Sequence, residues 1–166
     1  MTNLETNLAD NWAAVAEFIA TARSLDAKEW TTPRAEGAWS PGQIVQHVSI
    51  VYEYSRDIVR GTPSGGSLPR FLRPLLRRLV VDSTLKAGQA TRKGRAPGIL
   101  RPAPTAPPQP EGIARLEAAA KGFDTAVRES NGADVVHPFF GRMPAPDYVR
   151  FQAIHTRHHR RQLTST

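Results

Sequence analysis

The stretch SPGQIVQHVSIVYEYSRDIVRG, residues 40–61, carries the clearest helix signal in the chain. It opens with an N-cap serine, a proline at the first helical position and a glutamine three residues after the cap, which together form a capping-box pattern. Apolar residues then recur at intervals of three and four from Ile44 to Ile58, as on the buried face of an amphipathic helix. Gly61 ends the pattern. These residues therefore predict a helix of about twenty residues.

Three other segments show the same helical period: residues 3–24, residues 111–129, and a stretch from Pro144 to about Leu163. No stretch shows a convincing strand pattern. Four long amphipathic helices predict an all-α fold, a four-helix bundle in which a long crossover joins the second helix to the third. We expect a single domain over residues 1–166, because a chain of this length supports one compact core.

Residues 61–110 form the predicted crossover, and their composition sets them apart. Within them, residues 68–80 carry apolar and basic side chains at helical spacing, which predicts a short basic amphipathic helix. Residues 86–110 are rich in Pro, Gly, Ala and basic residues without a sustained period, which is typical of a long loop. We interpret this basic, Pro/Gly-rich crossover as part of the single domain.

The net charge of +7 is concentrated in one part of the chain. From Arg56 to Arg101 there are eleven Lys and Arg residues against two acidic residues, and the rest of the chain is close to neutral. Such a segment can face nucleic acid or an anionic membrane, or it can be a solvated connection, which we favour. No aromatic residue lies between Arg73 and Arg101 to stack on bases, so we expect no specific nucleic-acid binding.

Several classes of protein are excluded by composition. The chain has no cysteine, which excludes disulfides, thiolate metal ligands and a cysteine nucleophile. Any metal ion would therefore be bound by His, Asp or Glu. No run approaches the ~20 apolar residues of a membrane-spanning helix, and three acidic residues precede Arg23, unlike a signal peptide. We expect a cytoplasmic protein without membrane insertion.

The histidines carry the clearest chemical signal. His155, His158 and His159 share the inward, aromatic face of the last predicted helix, whereas the arginines between and after them face solvent. His155 and His159 are four residues apart, a spacing from which both imidazoles reach one metal ion. His47 lies in the apolar stripe of residues 40–61. One interpretation is that these histidines are core residues whose ring nitrogens are satisfied by hydrogen bonds. The other is that three of them, from two helices, bind one metal ion and leave some of its coordination positions open.

Four further residues are candidates for the wall of a pocket near such a site: Tyr54, His137, Tyr148 and His158. Tyr54 lies two helical turns from His47 and could contribute a hydroxyl, although packing is the more frequent role of such a residue. His137 precedes Pro138 and belongs either to the surroundings of the site or to a turn.

Two parts of the chain carry motifs that resemble those of a known superfamily. WSPGQIVQHV, residues 39–48, looks like the start of the second helix in DinB/YfiT-like metalloenzymes. The last part of the chain resembles the closing part of one branch of this superfamily, a branch of unknown function. The residues that carry this resemblance are HPFFG (137–141), Phe151 and HTRHHRRQL (155–163). The resemblance implies a four-helix bundle, often a homodimer, that binds a divalent metal such as zinc or nickel. The implied ligands are His47, His155 and His159, with His158 at an additional position.

The resemblance also implies a class of chemistry. Relatives in the superfamily include S-transferases that use bacillithiol or mycothiol and a mycothiol-dependent maleylpyruvate isomerase. The ion would be zinc or nickel, with iron as another option. Bound by three neutral imidazoles, it would activate a low-molecular-weight thiol or a water molecule and would attract an anionic small molecule. The function expected is thus a thiol-dependent transferase or a hydrolase. The alternatives are a non-catalytic metal-binding or interaction bundle and, less favoured, a nucleic-acid-binding protein.

Two features depart from the superfamily pattern. Many members have tryptophan where this chain has Tyr148, and the basic, proline-rich residues 61–110 have no match in the pattern. The wall of any pocket is therefore expected to be particular to this protein.

Overall fold

The computed structural model describes residues 3–90 and 96–164, and it is mostly helical, as predicted. The four long helices are α1 (Asn3–Arg23), α3 (Pro41–Val59), α6 (Gln109–Glu129) and α7 (Ala145–Thr164). Between them lie α2 (Ala27–Thr31), α4 (Arg73–Arg77), a π-helical turn (Arg78–Asp82), α5 (Ser83–Ala87) and a 3₁₀ turn (Gly98–Leu100). Two short strands, β1 (Val135–His137) and β2 (Gly141–Met143), precede α7.

Helix α3 begins as its sequence predicts. The Ser40 hydroxyl accepts a hydrogen bond from the Gln43 backbone N–H, and the Gln43 side chain accepts one from the Ser40 N–H at 3.0 Å. Helix α2 has the same kind of start, because Asp26 and Glu29 also form a capping box. We did not predict α2, since a helix of five residues is too short to establish a period.

The core lies between the long helices. Helix α3 packs against α6 and α1 packs against α7, with further contacts between α1 and α6 and between α3 and α7. Each long helix contributes its apolar face, and large side chains such as Phe18, Leu116 and Phe123 are fully buried. Burying such side chains stabilises the fold by roughly 1.5–3 kcal/mol each. The helical period of the sequence therefore identifies the faces that meet in the core.

A buried polar network fixes how three of these helices sit against each other. The Tyr52 hydroxyl on α3 donates to Asn11 Oδ1 on α1 at 2.8 Å and lies 2.9 Å from the Thr156 hydroxyl on α7. Nearby, the Gln152 amide on α7 donates to the Ser55 hydroxyl on α3 at 3.0 Å. A buried polar group without a hydrogen-bond partner destabilises the folded state, so this network favours one register of α3 against α7.

The two strands correct our prediction of a fold without strands. They pair antiparallel, with Val135 opposite Met143 and His137 opposite Gly141. Val135 and Met143 are buried, while Gly141 has a φ of 75° that suits glycine at the end of the turn. Strands of three residues are too short for an alternating pattern to appear in the sequence. The hairpin adds a small β element to a helical fold.

The helical part of the crossover lies further along the chain than predicted. We predicted a helix over residues 68–80, whereas the helical segment runs from Arg73 to Ala87. Pro69 disfavours helical backbone at the residue before it, and Pro74 is compatible with the first turn of a helix, so the helix begins at Arg73. The loop predicted over residues 86–110 follows, although residues 91–95 lie outside the described part of the chain.

The second half of the crossover is held against α2 and α3. The Trp30 indole N–H donates to the Pro107 carbonyl at 2.8 Å, and the Gln43 amide donates to the Ala103 carbonyl at 3.0 Å. A Cβ atom on Gly42 would lie 2.6 Å from the Trp30 indole nitrogen, so this close approach requires glycine. The loop therefore passes directly over the start of α3.

No helix in the described part of the chain combines the length and the apolar character needed to cross a membrane.

Candidate metal centre

The fold brings together three histidines from two helices. His47 in the first half of α3 meets His155 and His159 in the second half of α7. The ring of His47 is 5.5 Å from that of His155 and 4.7 Å from that of His159, measured between centroids. One ring nitrogen from each residue can be chosen so that all three atoms lie within 4.8 Å of one another. This group could hold a metal ion.

The crossover sets the orientation of His47. Its Nδ1 lies 2.6 Å from the Leu100 carbonyl oxygen. Because a carbonyl can only accept a hydrogen bond, Nδ1 carries the proton and the lone pair of Nε2 is available. The Trp39 ring also packs against His47, with the two ring centroids 4.9 Å apart. A backbone carbonyl that orients a histidine in this way is a common outer partner of metal ligands.

One amide side chain, that of Gln162, is hydrogen-bonded to both His159 and His158. His159 Nδ1 donates to Gln162 Oε1 at 2.8 Å, which leaves the lone pair of His159 Nε2 available. The Gln162 amide nitrogen in turn donates to His158 Nε2 at 3.1 Å. His158 Nε2 therefore accepts a hydrogen bond from Gln162, and His158 lies beside the group of three histidines.

The spacing of His155 and His159 fits a pair of metal ligands. Their Nε2 atoms are 3.1 Å apart. Two nitrogens that each lie 2.0–2.1 Å from one tetrahedral ion are about 3.3 Å apart. His155 Nδ1 is buried and has no hydrogen-bond partner within the residues that the structure describes. The residues present thus fit a divalent ion by spacing and by donor type.

Burial keeps these histidines neutral. It lowers the pKa of His159 to about 3, with a smaller contribution from the nearby His47. Burial, with His159 and His47 as further causes, also lowers the pKa of His155 well below its usual value. The pKa of His47 is lowered by burial, against the effect of its bond to the Leu100 carbonyl. Neutral imidazole is the form that binds metals, so the three rings need not lose a proton first.

The remaining pocket candidates form a second cluster, centred on His137 of the hairpin. His137 stacks on Phe140 at 4.4 Å and approaches Tyr148 at 5.9 Å and Tyr54 at 6.4 Å. Its Nδ1 accepts the Phe139 backbone N–H at 3.1 Å, and burial lowers its pKa to about 3. Burial also raises the pKa of Tyr54 and of Tyr148. These three residues thus pack on one another, and the group of metal-ligand candidates does not include them.

Two partners of the site were not assigned from the sequence. The Leu100 carbonyl belongs to a loop, and no side-chain pattern marks such an atom. Gln162 follows His159 by three residues, a spacing that places the two side chains on one face of a helix. That spacing could have identified Gln162 as the residue that orients His159.

Replacing Gln162 by methionine is expected to weaken metal binding by roughly 10–100-fold, the usual effect of losing an outer partner of a ligand. The change removes the oxygen that holds the proton on His159 Nδ1. Competition with a chromophoric chelator measures the affinity. As a matched control, Gln162→Glu keeps an oxygen at this position and should retain the affinity within about tenfold. Equal affinity of Gln162→Met and the unchanged protein would contradict this role.

Comparison with known proteins points to a family. The model of the family described as "Protein of unknown function (DUF1569)" matches residues 7–166. The matched range includes all three histidines of the candidate metal centre and most of α1. Neither the curated proteins nor the solved structures contain a match. The function therefore has to be inferred from the site.

Proposed function

The chain belongs to the DUF1569 family, whose function is unknown, and we propose that it is an enzyme that binds a divalent metal ion through His47, His155 and His159. The proposal depends on one observation: ring nitrogens of these residues converge within 4.8 Å. Three protein ligands leave a position for water or substrate, as in catalytic rather than structural sites. Imidazole ligands suit zinc, nickel and iron, of which zinc or nickel is the expected ion.

We further propose that the four long helices form a bundle of the DinB/YfiT-like kind. The pairing of α3 with α6 and of α1 with α7, with contacts across the two pairs, supports this assignment. The resemblance in residues 39–48 and 155–163 supports it as well, because these segments carry the three histidines. In such a bundle, ligands from facing helices meet in the interior.

The chain prepares its ligands in three ways. Burial keeps the imidazoles neutral, the Leu100 carbonyl turns Nε2 of His47 inward, and Gln162 does the same for His159. The group contains no carboxylate, so a bound ion would keep its full double charge. Such an ion lowers the pKa of a water or thiol that occupies its open position and attracts anionic substrates.

Thiol-dependent transfer is the reaction that this arrangement favours. Hydrolysis requires a general base near the attacking water, and the group of three histidines offers no carboxylate for that role. A thiol that has lost its proton is already a nucleophile. The chain has no cysteine, so the sulfur would come from a low-molecular-weight thiol.

Elemental analysis of the untagged protein tests the metal centre. We expect about one zinc, nickel or iron ion per chain, and its loss in the His47→Ala variant. Absence of metal in both proteins, even after incubation with each ion, would show that the histidines are ordinary core residues.

Cobalt substitution tests the reaction class. The protein reconstituted with Co²⁺ is titrated with 2-mercaptoethanol, and a saturable sulfur-to-cobalt charge-transfer band is expected, absent in His47→Ala. The zinc form is assayed in parallel for hydrolysis of p-nitrophenyl acetate. Hydrolysis without a thiol band would favour water activation. If neither signal is observed although metal is bound, the protein is a non-catalytic metal-binding bundle.

A further inference from the structure

The helical part of the crossover and the turn just before it expose several large apolar side chains. Within the described residues, six large apolar side chains are exposed, and four of them lie between residues 71 and 79. These four form what we term the apolar stripe: Phe71 (80% exposed), Leu72 (40%), Leu75 (58%) and Leu79 (38%). Soluble proteins rarely leave a contiguous apolar patch open, and such patches mark interaction sites.

The opposite face of the same segment is anchored to the protein. Val81 and Thr84 are buried. The Arg77 guanidinium donates to the backbone carbonyl of Arg142 in β2, and α5 contacts α7. The segment is thus held by its inner face, and this attachment turns the apolar stripe toward solvent.

Exposed basic residues accompany the apolar stripe along the chain. Arg70 precedes it, Arg78 lies three residues after Leu75, and Lys86 lies seven after Leu79; all three are exposed. Residues three apart share one side of a helix, which places Arg78 beside Leu75. Arg70 lies one residue before Phe71, and Lys86 lies in α5, beyond the π-helical turn. Asp82 is the acidic residue of this helical segment. An apolar face with a basic edge is the arrangement of helices that lie in the interface of anionic membranes.

The charge distribution also argues against other occupants. If two copies paired through this face by a two-fold axis, both sides of the interface would carry the same excess of cations, Arg70, Arg78 and Lys86, which disfavours the pairing. Nucleic acid would favour several aromatic residues for stacking, and the stripe contains only Phe71.

We infer that the apolar stripe, with Arg70, Arg78 and Lys86, docks the protein on the surface of an anionic lipid bilayer. Phe71, Leu72, Leu75 and Leu79 enter the boundary between headgroups and acyl chains, and the cations contact anionic headgroups. The contact is peripheral and does not require a membrane-spanning helix. It is independent of the proposed metal-dependent activity, because it uses residues outside the histidine group.

Co-sedimentation with vesicles tests this inference. The full chain is mixed with vesicles of phosphatidylcholine alone or of equimolar phosphatidylcholine and phosphatidylglycerol. We expect at least roughly tenfold tighter binding to the mixed vesicles, weakening as salt is raised. Equal binding to both compositions, or no binding to either, would overturn the inference.

Variants separate the apolar and the electrostatic contributions. Phe71→Gln combined with Leu75→Gln should weaken vesicle binding at least roughly tenfold, and Arg78→Gln should weaken it several-fold. Arg150→Gln makes the same charge change at an exposed position of α7 and should bind as the unchanged protein does. Circular dichroism checks that each variant is folded, which is expected because the replaced side chains are exposed.

Two further results would overturn the inference. The first is that the double variant binds vesicles as tightly as the unchanged protein, since the apolar stripe would then not contribute to binding. The other is a dimer in sedimentation velocity that the double variant converts to a monomer, since a second copy would then cover the stripe.

Discussion

Replacing His159 by alanine is expected to lower the affinity for a divalent ion by more than about 100-fold, beyond the loss caused by removing an outer partner. The change deletes one of the two nitrogens that lie 3.1 Å apart on α7 and leaves two candidate ligands. Titration of the metal-free protein with Zn²⁺ in the presence of a competing chelator measures this affinity.

His158→Ala is the matched control for this experiment. His158 is adjacent on the same helix, but its Nε2 accepts a hydrogen bond from Gln162 and it lies outside the group of three. We expect its removal to change the affinity by less than about tenfold. Both variants should keep their helical content, because alanine favours helix more than histidine does. If His159→Ala bound Zn²⁺ as tightly as His158→Ala, the assignment of His159 as a ligand would be wrong.

Lowering the pH from 7 to 5 is expected to reduce the free energy of unfolding of the metal-free protein by about 2 kcal/mol for each of His137 and His159. Burial lowers the pKa of each to about 3, from a usual value of 6.5. Between these values the unfolded chain binds a proton that the folded chain does not. The stabilisation is therefore fully present above pH 6.5 and is lost as the pH falls toward 3.

His137→Phe tests this pH dependence, because phenylalanine can pack against Phe140 and Tyr148 but cannot bind a proton. The free energy of unfolding, measured by urea denaturation in the presence of a chelator, should depend less steeply on pH in the variant. The difference between pH 7 and pH 5 should shrink by about 2 kcal/mol. An unchanged difference would show that His137 is not held neutral by the folded structure.

Local patterns predicted much of the fold. The long helices follow from apolar residues at intervals of three and four, and the start of α3 follows from Ser40, Pro41 and Gln43. The pairing of His155 with His159 is equally local, because residues four apart on a helix are neighbours. These features depend on residues within a turn or two of each other.

Short elements were not predictable in the same way. Helix α2 has five residues and each strand of the hairpin has three, too few to define a period. The crossover helix is longer, but its start depends on Pro69 and Pro74 rather than on the apolar period. The hairpin is stabilised by burial of Val135 and Met143 and by the contact of His137 with Tyr54, which is distant in the sequence. Such contacts override weak local preferences.

The residues along each helix were enough to determine where the long helices lie, which faces are apolar and which histidines face inward. Tertiary structure decided that His47, about two thirds of the chain away from His159, meets it within reach of one ion. It also decided that the Leu100 carbonyl orients His47 and that the apolar stripe of the crossover faces solvent. The reason is physical: helix periodicity arises from neighbours in sequence, whereas the packing of α3 against α7 arises from burial and hydrogen bonds between residues that are distant in sequence.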